Sequence, residues 1–348
     1  MMAMMAMTPL TLSIAVCTHD RPDRLRRALE SLLVQSAPAE ILVIDNAPSD
    51  SRARAVAESM PGVRYLVEPV PGLDFARNRA LAAAAGKVVA FLDDDAVAEP
   101  GWAGAILAAF AGPRGERVGA VTGRVLPLEL ETEGQRLFEA NGGFGRGDLR
   151  LCLPQDAWMP LHGRGAPLIA WAVSVGSGCS LAVRRDVMRS LGGFDEALDL
   201  GPALPGGGDH DALWRLLQAG WSVLYEPAAL ARHEHRRDLA AAYDQIVGHQ
   251  RALIAMLVKS ALQARGARRL EVLAFLAWRL LKPAVRLLDP QDPLPARVRL
   301  RMLGHCWRGL WALSAARRLA ASRRRAYRAE APVPVLSDAP LPLRSPRS

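Results

Sequence analysis

The densest chemistry in the sequence is a run of three carboxylates, Asp93-Asp94-Asp95, directly behind the apolar segment Lys87–Leu92. Like charges this close repel, so the run calls for a cation or a donor-rich ligand. Mg²⁺ or Mn²⁺ suits it, because either takes one or two carboxylates and completes its shell with phosphate oxygens. Asp95 is the expected metal ligand, Asp93 is expected on the metal or a ribose, and Asp94 is expected to be structural or to lie on the donor side. The plain alternative is a solvated acidic turn. A second acidic group, Gly206-Gly207-Gly208-Asp209-His210-Asp211, joins a glycine run to a helix start. A carboxylate there is stabilised as an anion and suits a general base, with simple capping by Asp209 as the alternative. His233-Glu234-His235 offers an imidazole, His233, to the metal. An HxH pair also fits zinc, but no further cluster completes a tetrahedral set. Asp45 can accept from a base or ribose, or serve a turn. Arg77 can reach a diphosphate or a carboxylate, or lie on a solvated helix face.

The elements that must position these groups alternate. Ser13–Thr18, Ile41–Ile44, Val63–Val67 and Lys87–Leu92 read as short apolar strands, and helical spacing fills the intervals over Leu25–Leu33, Ser51–Ser59 and Phe75–Ala85. Asp20 reads as the N-cap of the first helix, with Pro22 in its first turn. Apolar strands in such alternation imply a parallel, Rossmann-like sheet covered on both faces, with ligands outside the carboxyl ends of the strands. Thr18, Asp45, Asp93 and Asp95 all fall at those ends. Further along, Val118–Val125 reads as a strand, Val173–Val183 as a strand pair or bent strand, Asp209–Ala219 as a helix, and Val223–Tyr225 as a final strand.

Composition narrows the partners. The first 250 residues carry a net charge of −6, whereas residues 251–330 carry +14. An acidic body thus joins a basic segment suited to an anionic surface. Four scattered cysteines argue against a disulfide framework and for a reducing, cytoplasmic setting. The apolar start lacks a basic leader, and the longest uncharged run, Gly165–Val183, is too rich in glycine and serine for a spanning helix. No GxGxxG follows the first strand, which disfavours a dinucleotide oxidoreductase. No nucleic-acid motif accompanies the basic segment, so no nucleic-acid partner is expected.

Taken in order, SIAVCTHDRPDRLRRALESL, VIDNAPSD, PGLDFARNRAL, VVAFLDDDAVAEPGW, GSGCSLAVRRDVMRSLGGFDE and GGGDHD…YEP resemble glycosyltransferase family 2 over residues 11–250. The resemblance implies an inverting enzyme of GT-A fold that moves a sugar from a nucleotide-sugar donor to a hydroxyl acceptor, a glycan or a lipid-linked one of the cell envelope. It assigns Thr18 and Asp45 to the nucleotide, Asp93 and Asp95 to ribose and divalent cation, and Asp209 to the base. Gly178, Cys179, Phe194 and Asp195 would lie on the acceptor side. Gly208 departs from the pattern, standing where a glutamate is common. That departure leaves the base between Asp209 and Asp211, and it motivates a second reading, an impaired nucleotide-sugar-binding or scaffold protein.

The expected organisation is an extension over 1–10, a catalytic domain over 11–250 (nucleotide half 11–100, acceptor half 101–250), a basic helical region over 251–330 and a disordered tail over 331–348. In the basic region Leu270, Leu273, Ala277, Leu281, Ala284 and Leu288 share one helical stripe, with Arg279, Lys282 and Arg286 opposite. Leu300, Leu303, Trp307, Leu310 and Trp311 repeat it. Such a helix either meets the inner membrane face peripherally or packs on the body.

Overall fold

The computed structural model describes residues 10–330 apart from 113–114, 155–159, 162–163 and 166. Residues 1–9 of the expected extension and the expected tail over 331–348 lie outside the described residues.

Four parallel strands, β1 (Leu12–Thr18), β2 (Ala39–Asn46), β3 (Val63–Glu68) and β4 (Val88–Asp93), form half of the main sheet in the order β3-β2-β1-β4. Helices α1 (Pro22–Leu33), α2 (Arg52–Glu58) and α3 (Leu73–Ala83) supply the crossovers. Alternate residues of each strand enter different cores. Ile14, Val16, Val43 and Leu92 pack on one face, while Ala15, Leu42, Ile44 and Phe91 pack on the other. Burial on both faces is why β1, β2 and β4 read as apolar runs, whereas the edge strand β3 is only partly buried.

After β4 come β5 (Ala96–Ala98), α4 (Trp102–Ala111), β6 (Val118–Pro127), α5 (Glu133–Ala140), β7 (Leu151–Leu153) and a two-residue hairpin, β8 (Pro160–Leu161) with β9 (Arg164–Gly165). Next are α6 (Leu168–Ser174), β10 (Ser180–Arg184), α7 (Arg185–Ser190), α8 (Gly208–Gln218) and β11 (Ser222–His233). β10 enters antiparallel between β4 and β6, and β11 lies parallel to β6, with β5 and β7 antiparallel on it.

Several expectations change here. Asp20 does not cap α1; it takes a positive φ of 54° and accepts from the Ser49 N–H at 2.9 Å. The expected strand pair over Val173–Val183 divides into the end of α6 and the start of β10. α6 is buried almost all round, from Leu168 to Ala172, and an apolar segment without a polar face carries no period to tell helix from strand. β11 runs well past Tyr225, because Pro227 falls in a register irregularity between Glu226 and Leu230 and not at a strand end.

Helix α9 (Leu239–Gln263) crosses residue 250, where the sequence suggested a boundary. With α10 (Gly266–Leu287) and α11 (Ala296–Glu330) it packs on the sheet and its helices, and Ile254, Leu257, Val272, Leu276, Cys306 and Leu313 belong to the same buried cluster as β2 and α8. No described helix is long and apolar enough to cross a membrane.

Candidate functional site

Parallel register brings the acidic residues to one sheet edge: Thr18 lies opposite Asp45, and Cys17 opposite Asp93. Asp94 is buried, accepts from the Thr18 hydroxyl at 2.8 Å and pairs with Arg21 at 3.1 Å. Thr18 and Asp94 therefore pin the loop between β4 and β5. Asp95 meets His233 Nε2 at 3.2 Å and Arg21 at 3.3 Å, while its carbonyl accepts from the Glu234 N–H at 2.8 Å. That backbone bond ties the end of β11 to the acidic turn, and one oxygen each from Asp93 and Asp95 lies within 4.8 Å of a His233 nitrogen.

Burial, then the adjacent Asp95 carboxylate, lifts Asp93 to about 6. Burial would lift Asp95 as well, but the His233 hydrogen bond and positive neighbours hold it well below the ordinary range. A half-buried carboxylate, Asp93, and a buried one, Asp95, that repel with an imidazole beside them form a donor set that fits a divalent cation, more naturally Mn²⁺ than an all-oxygen ion.

The second acidic group arrives from across the sheet. Gly207 takes a φ of 99°, in the left-handed region, and so opens α8 abruptly with Asp209 in its first turn. The Asp209 carboxylate accepts from the N–H groups of Gly178 and His210, each at 2.7 Å. The next residue, Cys179, accepts from the Asp93 N–H at 3.4 Å. One dipeptide, Gly178-Cys179, thus bridges Asp209 and the acidic strand end. Burial would raise Asp209, but His210, Arg77 and the two N–H donors keep it ionised below the ordinary range.

Asp211 does not join this group. It is fully buried, with Arg215 at 2.7 Å on one oxygen and Lys259 at 2.7 Å on the other. Two residues further along a helix is 200° around it, so Asp211 points away from the side on which Asp209 meets Gly178. Asp195 shares the Lys259 ammonium at 2.6 Å. It lines a cavity of about 500 Å³ whose walls include Asn78, Arg215, Lys259 and Arg317 but none of Asp93, Asp95, Asp209 or His233. Phe194 is a core residue, edge-on to Phe91 at 5.4 Å. Cys179 is buried and its thiol is pushed up by that burial, which removes it as a nucleophile.

Arg77 lies neither on a solvated face nor open to a diphosphate. It is 4% exposed, 2.9 Å from Asp74 and 3.5 Å from Asp199. A Cβ built at Gly178 would collide with its guanidinium. Asp45 accepts from the Tyr65 hydroxyl at 2.7 Å, and its other oxygen is buried without a hydrogen bond. Burial raises this carboxyl. An acceptor waiting at a strand end fits a ribose or base donor.

Gly208 now has a steric explanation. A Cβ there would overlap Asp74 Oδ2 and lie 2.5 Å from Asp199 Oδ2. Carboxylates from α3 and from the loop after α7 fill the space a side chain would need.

Sequence reasoning missed Asp74, Asp199, Arg21, Arg24 and Arg236. Arg21 and Arg24, one turn apart at the start of α1, both approach Asp95, a spacing visible in HDRPDR. Arg236 is half-buried beside the same turn, and burial, then Arg21, pushes it down; it makes no ion pair among the described residues.

Comparison with known proteins follows this geometry. Glycosyl transferase family 2 matches residues 13–192. The Pre-mycofactocin glycosyltransferase of Mycobacterium tuberculosis is 32% identical over 165 residues, 47% of this chain. The chain spans about 30% of that relative's length. The succinoglycan biosynthesis protein ExoM of Rhizobium meliloti is 29% identical over 246 residues, covering 66% of this chain and 70% of ExoM. A solved mannosyltransferase of Pyrobaculum calidifontis, in complex with GDP-Man and Mn²⁺, superposes with a TM-score of 0.58 at 16% identity, over 87% of this chain and 88% of its own. S. aureus TarS 1–349 gives 0.51 at 15% identity, over 92% of both chains. These likenesses match the expected GT-A architecture.

Proposed function

The chain belongs to glycosyl transferase family 2, and from that premise we propose that it moves a sugar from a nucleotide-diphosphate donor to a hydroxyl acceptor with inversion at the anomeric carbon. The single observation that carries this reading is the Gly178-Cys179 bridge. It holds an ionised carboxylate, Asp209, one residue away from the turn that would receive the donor.

In the reaction the Asp209 carboxylate takes the acceptor hydroxyl proton as that oxygen bonds to the anomeric carbon. The bond from that carbon to the diphosphate oxygen breaks on the opposite side, and its electron pair leaves with the nucleoside diphosphate. Asp93, Asp95 and His233 would hold a divalent cation, which when bound neutralises charge on the departing diphosphate. The P. calidifontis neighbour's Mn²⁺ supports that choice of ion. Arg236, a cation without a carboxylate partner among the described residues, supplies a second positive group for the diphosphate. Asp45 receives the ribose or base. The glutamate absent at position 208 does not favour an impaired protein, because carboxylates already occupy its place.

The test is donor turnover with Mn²⁺ across a panel of nucleotide sugars. Asp209→Asn should lower kcat by about 10²–10⁴ with little change in donor KM, the range for loss of a positioned base. Full turnover by Asp209→Asn or Asp95→Ala would overturn the reading.

The lipid-linked version of the acceptor draws support from α10. Its apolar stripe faces outward, with Leu270 70%, Leu281 60% and Leu288 85% exposed. Arg279 and Arg286 reach back to the body: Arg279 donates to Gln250 at 2.8 Å and Arg286 to Asn141 at 2.9 Å, while Val272 and Leu276 pack into the core. The exposed row is more apolar than an ordinary surface helix presents, and Trp278, Trp307 and Trp311 are exposed on α10 and α11. A bilayer surface with anionic headgroups fits an apolar, tryptophan-bearing face within a +14 segment. Flotation with anionic vesicles should be lost in Leu281→Glu/Leu288→Glu. Equal binding by parent and variant, or self-association in place of flotation, would rule the bilayer out.

A further inference from the structure

Behind His233 stands a chain of hydrogen bonds that the reaction above does not use. His233 Nδ1 lies 3.1 Å from His235 Nδ1, and His235 Nε2 lies 2.7 Å from Glu139 Oε1 on α5. Both imidazoles are buried, and the Phe138 and Phe144 rings pack against them at 4.7 Å and 5.1 Å. The N-terminus of α5 is fixed by a reciprocal cap between Thr132 and Gln135, so Glu139 is carried on an anchored helix.

The chemistry of the donors orders the protons along this chain. An ionised carboxylate only accepts, so His235 Nε2 carries hydrogen toward Glu139. The Nδ1 of a neutral His235 is then bare and can only accept. The hydrogen between the two rings therefore belongs to His233 Nδ1, which leaves the Nε2 of a neutral His233 with a lone pair. That nitrogen lies 3.2 Å from Asp95 Oδ1, where a proton between them makes the hydrogen bond described above. A divalent cation among Asp93, Asp95 and His233 would take that proton's place, and the Nε2 lone pair would then coordinate it.

We propose that Glu139 and His235 are positioning residues whose hydrogen-bond chain fixes the tautomer of His233, so that Nε2 completes a divalent-cation site with Asp93 and Asp95. Carboxylates that accept from the far side of a metal-bound imidazole orient it in this way and raise its basicity, with losses of about 10–100-fold in metal affinity when they are removed. The inference rests on the metal-assisted reading above but makes its own claim, about a proton's position and an affinity.

The experiment uses the full chain without donor. Imidazole ¹⁵N shifts, recorded with and without Mg²⁺, report the tautomer, and the paramagnetic resonance of free Mn²⁺ reports affinity. The parent should show His233 protonated at Nδ1 and His235 at Nε2. Glu139→Ala should lose that pattern and weaken Mn²⁺ binding about 10–100-fold. Glu139→Gln, whose amide oxygen still accepts, should keep the tautomer and lose less than about tenfold, within the same range. A merely structural role for Glu139 would leave the ¹⁵N shifts of the folded protein unchanged. The proposal is overturned by a Mg²⁺-loaded parent with His233 still protonated at Nε2, by a parent that binds no Mn²⁺, or by folded Glu139→Ala that binds Mn²⁺ as the parent does. If Glu139→Ala does not fold, the parent shifts and Glu139→Gln still decide. A parent with the expected tautomer and Mn²⁺ affinity but no turnover of any nucleotide sugar would sink the transferase reading alone.

Discussion

Restoring the glutamate at Gly208 should damage the protein, and this outcome separates an active enzyme from an impaired one. The Asp199 carboxylate accepts from the Gly208 N–H at 2.7 Å, and a Cβ at position 208 would lie 2.5 Å from that carboxylate and inside the contact radius of Asp74 Oδ2. Neither oxygen yields freely, because Asp74 is fully buried and held 2.9 Å from Arg77. Overpacking of a tight interior costs about 1–3 kcal/mol. Loosening a buried hydrogen bond to a charged group adds about 1.5–3 kcal/mol. Gly208→Ala should therefore lose about 2.5–6 kcal/mol, which at about 2 °C per kcal/mol for a chain of this size lowers Tm by about 5–12 °C. Gly208→Glu should lose more, since it adds a carboxylate to a group of Asp74, Asp199 and Asp209 that has Arg77 as its central counter-charge. Thermal unfolding by circular dichroism, paired with donor turnover, measures both. A Gly208→Glu protein with parental Tm, or one that turns over faster than the parent, would refute the argument that carboxylates already fill that place.

Three further outcomes follow from the same geometry. Asp211→Asn should keep kcat within about threefold while losing stability, as expected for one partner of a buried ion pair; a loss as large as that of Asp209→Asn would restore Asp211 as the base. Arg236→Ala should raise donor KM about tenfold or more without lowering Tm, because a charge-assisted bond is worth about 1.5–3 kcal/mol and this cation makes no ion pair among the described residues that its loss would strand; an unchanged KM would remove it from the donor site. Burial pushes His249 down to about 4 against the influence of Asp209, with His210, His233 and Arg236 acting in the same direction as burial. The unfolded chain then binds more protons between pH 6.5 and 4, so stability is complete above pH 6.5 and falls below it. The contribution is at most about 3 kcal/mol, and nearer 1–2 for this half-buried ring. His249→Gln should flatten that acid limb of the unfolding curve, and an unchanged limb would exclude the histidine as its source.

The four parallel strands β1 to β4 were legible because their physics is local. Apolar runs ending in Thr18, Asp45 and Asp93 place polar groups at strand ends, and the register confirms that they share one edge. What the sequence hid depends on distant partners. No local pattern separates α6 from a strand when every side is buried. The sequence likewise held no sign that Phe194 is core, that Asp195 and Asp211 share Lys259, or that Arg77 is enclosed by Asp74 and Asp199. Each of these facts joins segments far apart in the chain. The stripe on α10 was correctly traced, but which side faces outward is decided by Gln250 and Asn141, residues outside that helix.

The three C-terminal helices share their inner rows with the catalytic core. They cannot be exchanged between enzymes as a detachable cassette, because a graft must bring its buried residues into register with the host. The outward rows carry no such constraint. Adaptation of this scaffold to a different surface is therefore expected to rewrite one side of α10 and α11 while leaving the other nearly fixed.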